Sequence, residues 1–227
     1  STTDDLAACD NGGNNTLGTG EAACADADET NPGGTPYDTE LFSNSFDLTG
    51  YVTATVEFAG AYNDITPAGG DLFEVWIWDG GVGTLAQVWD ADFNEIVSLD
   101  LTPYVGSADV QVSFRYYGTG WDWWAQVDDV SMTCGAQQLS ITLNKTVGDV
   151  PGVCATTDTC NVPAGYGGTD VYYCYEVTNT GNITLPLHSL VDSELGTIFT
   201  GFAYDLGPGA SVDTVAAGLE ISATIIQ

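Results

Sequence analysis

The chain has 227 residues, of which 32 are Asp or Glu and only two, Arg115 and Lys145, are basic, giving a formal net charge of −30. Nucleic-acid binding rests on Lys and Arg neutralising phosphates, so this balance excludes a nucleic-acid partner, and the same repulsion excludes an anionic membrane surface. With one histidine, six cysteines, no Cys-x-x-Cys pair and no long apolar run, neither a structural zinc site nor membrane insertion fits.

The acidic fraction is ordinary; the deficit is in Lys and Arg. A fold with so little internal neutralisation repels itself at neutral pH unless cations, acid or salt relieve it, so bound divalent metal or an unusual medium is expected. The even cysteine set reads as disulfides in an oxidising compartment. The chain opens on a polar, acidic stretch with no basic-then-apolar leader, as a mature exported product would.

In chain order, the Gly-rich stretch 11–20 lacks the Lys-Ser/Thr of a phosphate loop and is read as a loop. Residues 52–58 alternate apolar and polar, as a half-buried strand does, and 96–101, 110–114 and 125–132 repeat the pattern. Residues 73–78 are apolar at nearly every position, which predicts a strand covered on both faces. Turn formers at 67–70, 79–81 and 118–120 punctuate these runs. A second set of strands is expected at 139–147, 171–178, 183–190, 197–206 and 219–226, with loops at 179–182 and 207–209. No amphipathic helix is evident. The prediction is all-β, with two abutting domains, 1–136 and 137–227.

Particular segments carry resemblances to known families. Residues 24–28 (Cys-Ala-Asp-Ala-Asp), 37–41 (Tyr-Asp-Thr-Glu-Leu), the strand at 51–58 and the closing 123–131 (Trp-Trp-Ala-Gln-Val-Asp-Asp-Val-Ser) occur in order. The first domain thereby resembles the jelly-roll modules of secreted bacterial proteins that include the cleaved-adhesin and MAM-like domains. The resemblance implies a jelly-roll β-sandwich with a structural calcium ion. Calcium takes several oxygen ligands, and Asp26, Asp28, Asp38, Glu40, Asp128 and Asp129 are the carboxylates that the resemblance brings together.

Residues 143–147 (Leu-Asn-Lys-Thr-Val), 173–175 (Tyr-Cys-Tyr), 177–182 (Val-Thr-Asn-Thr-Gly-Asn) and 206–211 make the second domain resemble the immunoglobulin-like repeats of bacterial surface proteins. Such repeats continue into one more strand, of the Asn-Thr-Ala-x-Trp type, beyond the point that corresponds to Gln227. Its absence implies a fragment or a sandwich completed by another chain. The resemblances also imply the pairs Cys9–Cys24 and Cys154–Cys174, which leaves Cys134 with Cys160. Cys154–Cys160 with Cys134–Cys174 is the rival pairing.

Three further residue groups bear on function. Trp121, Trp123 and Trp124, with Tyr116 and Tyr117 upstream, serve either as core and interface packing or as a platform for sugar rings. His188 is expected to be structural, and no Gly-x-Ser-x-Gly elbow anchors a catalytic triad, so an enzyme is not expected. Lys145 occupies a strand on which some bacterial surface folds form Lys isopeptide bonds, with Glu176 as a candidate acid; an ordinary ion pair is the plainer reading. The sequence therefore points to a secreted, extracellular, cell-surface protein: a structural or adhesive subunit of an adhesin, filament or surface layer. Its expected partners are further copies or neighbouring surface proteins, joined by strand addition, and glycans. The alternative is a carbohydrate-binding accessory module of a secreted hydrolase.

Overall fold

The computed structural model describes residues 13–27, 36–65, 70–118, 123–159 and 168–225. The chain divides into two compact units, Ser1–Ala136 and Gln137–Gln227, and every strand pairing is antiparallel. Among the described residues no helix is long and apolar enough to cross a membrane.

The first unit is a sandwich of two four-stranded sheets. One contains β1 (Ala23–Asp26), β3 (Tyr51–Asn63), β6 (Phe93–Asp100) and β8 (Trp124–Ala136), in the order β1-β8-β3-β6. The other contains β2 (Tyr37–Phe42), β4 (Leu72–Asp79), β5 (Val82–Trp89) and β7 (Val110–Gly118), in the order β2-β7-β4-β5. The two-residue period decides which side chains meet between the sheets. Ala54, Val56 and Phe58 of β3 and Val110, Val112, Phe114 and Tyr116 of β7 are buried in one cluster. Phe58 meets Phe114 edge-on, with ring centroids 4.9 Å apart.

Strand β4 departs from the expectation of a strand covered on both faces. Phe73, Val75 and Ile77 fill the core, but Trp76 and Trp78 lie on the opposite face and stay partly exposed. The strand is apolar at nearly every position because its outer face carries two indoles beside Glu74, not because a second layer covers it.

Strand β8 contains a bulge. From Glu57 to Ala59 the partner register runs from Ser131 to Asp128, so β8 holds one extra residue there. Asp129 takes φ 48° at this point, a conformation that Asp tolerates better than most non-Gly residues.

The second unit is more open. Its larger sheet centres on β10 (Thr169–Asn179), which pairs along one edge with β9 (Ile141–Gly148) and along the other with β13 (Ser211–Asp213) and β14 (Ile221–Ile225). Among the described residues, what faces this is a two-stranded hairpin, β11 (Leu185–Asp192) and β12 (Gly196–Leu206). Tyr175, Leu190 and Ile221 are the buried members of its hydrophobic cluster. Asn179 is fully buried and ties the unit's corners: its amide donates to the Ile183 carbonyl at 2.7 Å and the Leu206 carbonyl at 2.9 Å.

Candidate functional site

The β8 bulge presents Asp128 and Asp129 to the loop at residues 13–20. Asn14 Nδ2 donates to Asp128 Oδ2 at 2.7 Å, and the Thr19 amide donates to Asp129 Oδ2 at 3.1 Å. Gln126, fully buried, adds two bonds: its Oε1 accepts from the Asn15 amide at 2.7 Å, and its Nε2 donates to the Gly13 carbonyl at 3.0 Å. Gly18 lies against Asp128 so closely that a Cβ would stand 2.6 Å from its Oδ2. These two carboxylates therefore hold a loop onto the sheet.

The carboxylates singled out for calcium are distributed over separate places. Asp26 aligns with Trp124 on β8, four residues along the strand from Asp128, which at the usual rise is about 13 Å. Asp38 and Glu40 lie in the other sheet, on β2. Asp38 receives both Arg115 Nε and Nη2 at 2.8 Å, which holds its carboxyl below the usual range. Ser113 donates to Glu40 at 2.5 Å. Asp28 lies outside the described residues. Among the described residues the only trio of candidate ligand groups in mutual reach is Cys154, Cys174 and Asp213, and its two thiols are already joined in a disulfide.

The tryptophans separate as well. Trp123 is 46 % exposed just ahead of β8, and Trp124 borders a shallow depression with Asn63, Phe93 and Asn94. Tyr116 is buried in the core, which removes it from any surface platform; Trp121 lies outside the described residues. The aromatic surface that sequence reasoning missed is on the other sheet, around Trp76 and Trp78. Its signal was present as indoles at alternate positions of a strand whose other alternate positions are core formers.

Cys154 and Cys174 are bonded, with Cα atoms 5.2 Å apart, which excludes the rival pairing. Cys24 is also disulfide-bonded; Cys9 and Cys160 lie outside the described residues. Cys134 is a free thiol in place of the expected bridge to Cys160. It sits on β8 with its side chain packed against the first unit's core, where a thiol acts as a small hydrophobe.

In the second unit, Lys145 Nζ donates to Asp192 Oδ2 at 2.5 Å, and the Tyr175 hydroxyl donates to the same oxygen at 2.7 Å. Glu176, the acid proposed for Lys145 from sequence, is exposed on β10; the ion pair is with Asp192. His188 Nε2 lies 3.0 Å from the Leu185 carbonyl and 2.9 Å from the Tyr204 carbonyl, an arrangement that pins the ring in place.

Between the two layers of this unit lies an apolar cleft. Ile141 and Leu143 of β9 and Val177 of β10 form one wall, and Phe199, Phe202 and Tyr204 of β12 form the other. Ile141 and Leu143 are 55 % and 54 % exposed, although strand alternation places them with the core-facing set. Among the described residues, β11 and β12 pair only with each other, so each hairpin strand presents a row of unpaired ladder groups. No protein-family model matches the chain, and no curated protein matches it.

Proposed function

We propose that the protein is an extracellular structural or adhesive module, part of a cell-surface assembly, whose second unit accepts a β-strand from another copy. The observation that carries this reading is the apolar cleft of the second unit, bordered by hairpin edges that have no ladder partner among the described residues. An added strand would satisfy backbone donors and acceptors along such an edge, and its alternate side chains would fill the cleft. Burying an apolar side chain fully contributes about 1.5–3 kcal/mol, so covering Leu143, Ile141 and the facing aromatics is a sizeable incentive. An immunoglobulin-like sandwich with a larger second sheet would result.

The acidic surface sets the condition for assembly. Two copies at −30 each repel one another until ions screen or neutralise them. Calcium is the proposed counter-ion, because exposed carboxylates are hard oxygen ligands that suit it. Sedimentation velocity over a protein concentration series, with and without calcium, tests the reading. Concentration-dependent association that requires the cation and is lost in the double variant Ile141→Gln, Leu143→Gln is expected. A species that stays monomeric at high concentration with calcium present rejects strand exchange between copies.

A further inference from the structure

We infer that the outer face of the β2-β7-β4-β5 sheet is a binding site for a neutral glycan, built on Trp76 and Trp78. This site is on the first unit and does not depend on the assembly proposed above.

The two indoles occupy successive outward positions of β4, with ring centroids 6.3 Å apart and planes inclined by 33°. Phe42, 46 % exposed, extends the surface, its ring centroid 5.6 Å from that of Trp78. Tyr117 continues it at the other side, beneath the Arg115 guanidinium at 5.5 Å. Aromatic rings on an open sheet face could equally be packing for another protein, so the decisive evidence is how they are held.

Both indole N–H groups are already satisfied within the face. Trp76 Nε1 donates to Glu74 Oε2 at 2.8 Å, and Trp78 Nε1 donates to Ser113 Oγ at 2.8 Å. Trp78 also lies over Gly83, where a Cβ would stand 3.0 Å from its six-membered ring. The absence of a side chain on Gly83 is what lets the indole settle over β5. The rings are thus fixed before any ligand arrives, which lowers the ordering cost of binding, and with both N–H groups engaged what they leave for a ligand is the apolar ring surface that stays exposed.

Polar groups border the same depression, which is lined by Asp38, Glu40, Trp76, Trp78 and Arg115. They form one connected network. Arg115 forks onto Asp38 and reaches Glu74 Oε2 with Nη1 at 3.0 Å, and Ser113 joins Trp78 to Glu40 Oε1. Glu40 Oε2 remains to accept from a ligand. Three carboxylates against one guanidinium make the border an array of acceptors with a negative balance. That composition repels sulfated, sialylated or phosphorylated ligands and favours hydroxyl donors. Rigid apolar rings flanked by acceptors for O–H groups match the two faces of a neutral sugar: C–H groups that stack on indole, and equatorial hydroxyls that donate sideways.

The test is a titration of the whole chain with neutral oligosaccharides of several linkages, with sialylated and sulfated ones as the contrasting set, read by calorimetry and tryptophan fluorescence. At least one neutral series should bind. Trp76→Ala and Trp78→Ala should each weaken it about tenfold or more, while Trp78→Phe, which keeps a ring, should retain most of the affinity. Melting curves of each variant separate lost binding from lost folding. Four outcomes would overturn the inference: no neutral glycan binds; binding survives both alanine variants; binding is lost on Trp123→Ala but not on Trp76→Ala; or the alanine variants alter self-association and not glycan affinity, which assigns the face to a protein contact.

Discussion

Lys145 Nζ and Asp192 Oδ2, 47 residues apart in sequence, meet at 2.5 Å and join the first strand of the second unit to the end of its hairpin. The Lys145 side chain is 38 % exposed, whereas that of Asp192 is 6 % exposed. Besides Lys145 and Tyr175, the backbone amides of Glu194 and Leu195 donate to Asp192 Oδ1 at 2.9 and 3.0 Å. Asp192 is thus the hub, and Lys145 is one of four donors around it.

Removing the hub should cost more than removing the cation. Asp192→Ala leaves the Tyr175 hydroxyl and two amides without their acceptor, while Lys145→Met removes one donor and keeps most of the packing. Chemical denaturation should show the larger loss for Asp192→Ala. The intact mass of the wild type should be lower only by the two hydrogens of each disulfide, with no loss of water from an amide between Lys145 and Asp192, because the pair is held charged: Lys145 is raised chiefly by Asp192, and Asp192 is lowered chiefly by Lys145.

The same cluster sets a pH dependence at both ends. The Asp192 carboxyl is held well below its ordinary value, so its contribution is complete above about pH 4 and is lost as pH falls toward the folded value. Burial, followed by the bond to Asp192, pushes Tyr175 up to about 12. A raised pKa means that this contribution is complete below about pH 10 and is lost as pH rises through the folded value. The denaturation midpoint measured against pH should fall on both sides, and Asp192→Asn should flatten the acid limb.

The bulge residue Asp129 combines φ 48° with an acceptor for Thr19. A β-branched residue there would lose the bond and resist the left-handed backbone, so Asp129→Val should destabilise the first unit by about 1–3 kcal/mol. Asp129→Asn keeps a side-chain oxygen and tolerates the conformation, and should cost well under half as much. Urea unfolding of the two variants checks the difference.

The thiols should respond in opposite ways. Cys154 and Cys174 are 20 residues apart, and removing a bridge that closes a loop of this size costs about 3 kcal/mol. Cys154→Ala with Cys174→Ala should therefore lower stability by that order. Cys134, packed against the core, should react with a thiol reagent slowly in the native protein and fully in denaturant. Immediate native labelling would show the side chain to be more accessible than the structure has it.

Salt should stabilise the protein. The charge of −30 repels itself over a screening length of about 10 Å at 0.1 M salt, so the melting temperature should climb with sodium chloride. Calcium should raise it further at matched ionic strength. An equal effect of the two salts would reduce calcium to general screening.

Much of the architecture is legible along the chain, because a sheet with one buried face writes its orientation into alternate residues. The runs at 52–58 and 110–114 alternate and lie in β3 and β7. The run at 73–78 misled for a physical reason: indoles on the outer face erase the contrast between inside and outside, so a half-covered strand looks doubly covered. Strand β5, with Gly83 and mostly exposed positions, carries too little alternation to be noticed. The acidic balance and the all-β class could be reached without coordinates; the Cys154–Cys174 pair is only what a resemblance implies, and it takes the structure to exclude its rival. Placement of functional groups could not, since it depends on register and on one inserted residue. The β8 bulge turns Asp128 and Asp129 onto the 13–20 loop, the β2 register sets Glu40 opposite Arg115 and Asp38 diagonally within its reach, and, among the described residues, the two-stranded hairpin leaves the cleft of the second unit uncovered. Composition lists the groups a chain owns; pairing across strands, which a single residue can shift, chooses which of them meet.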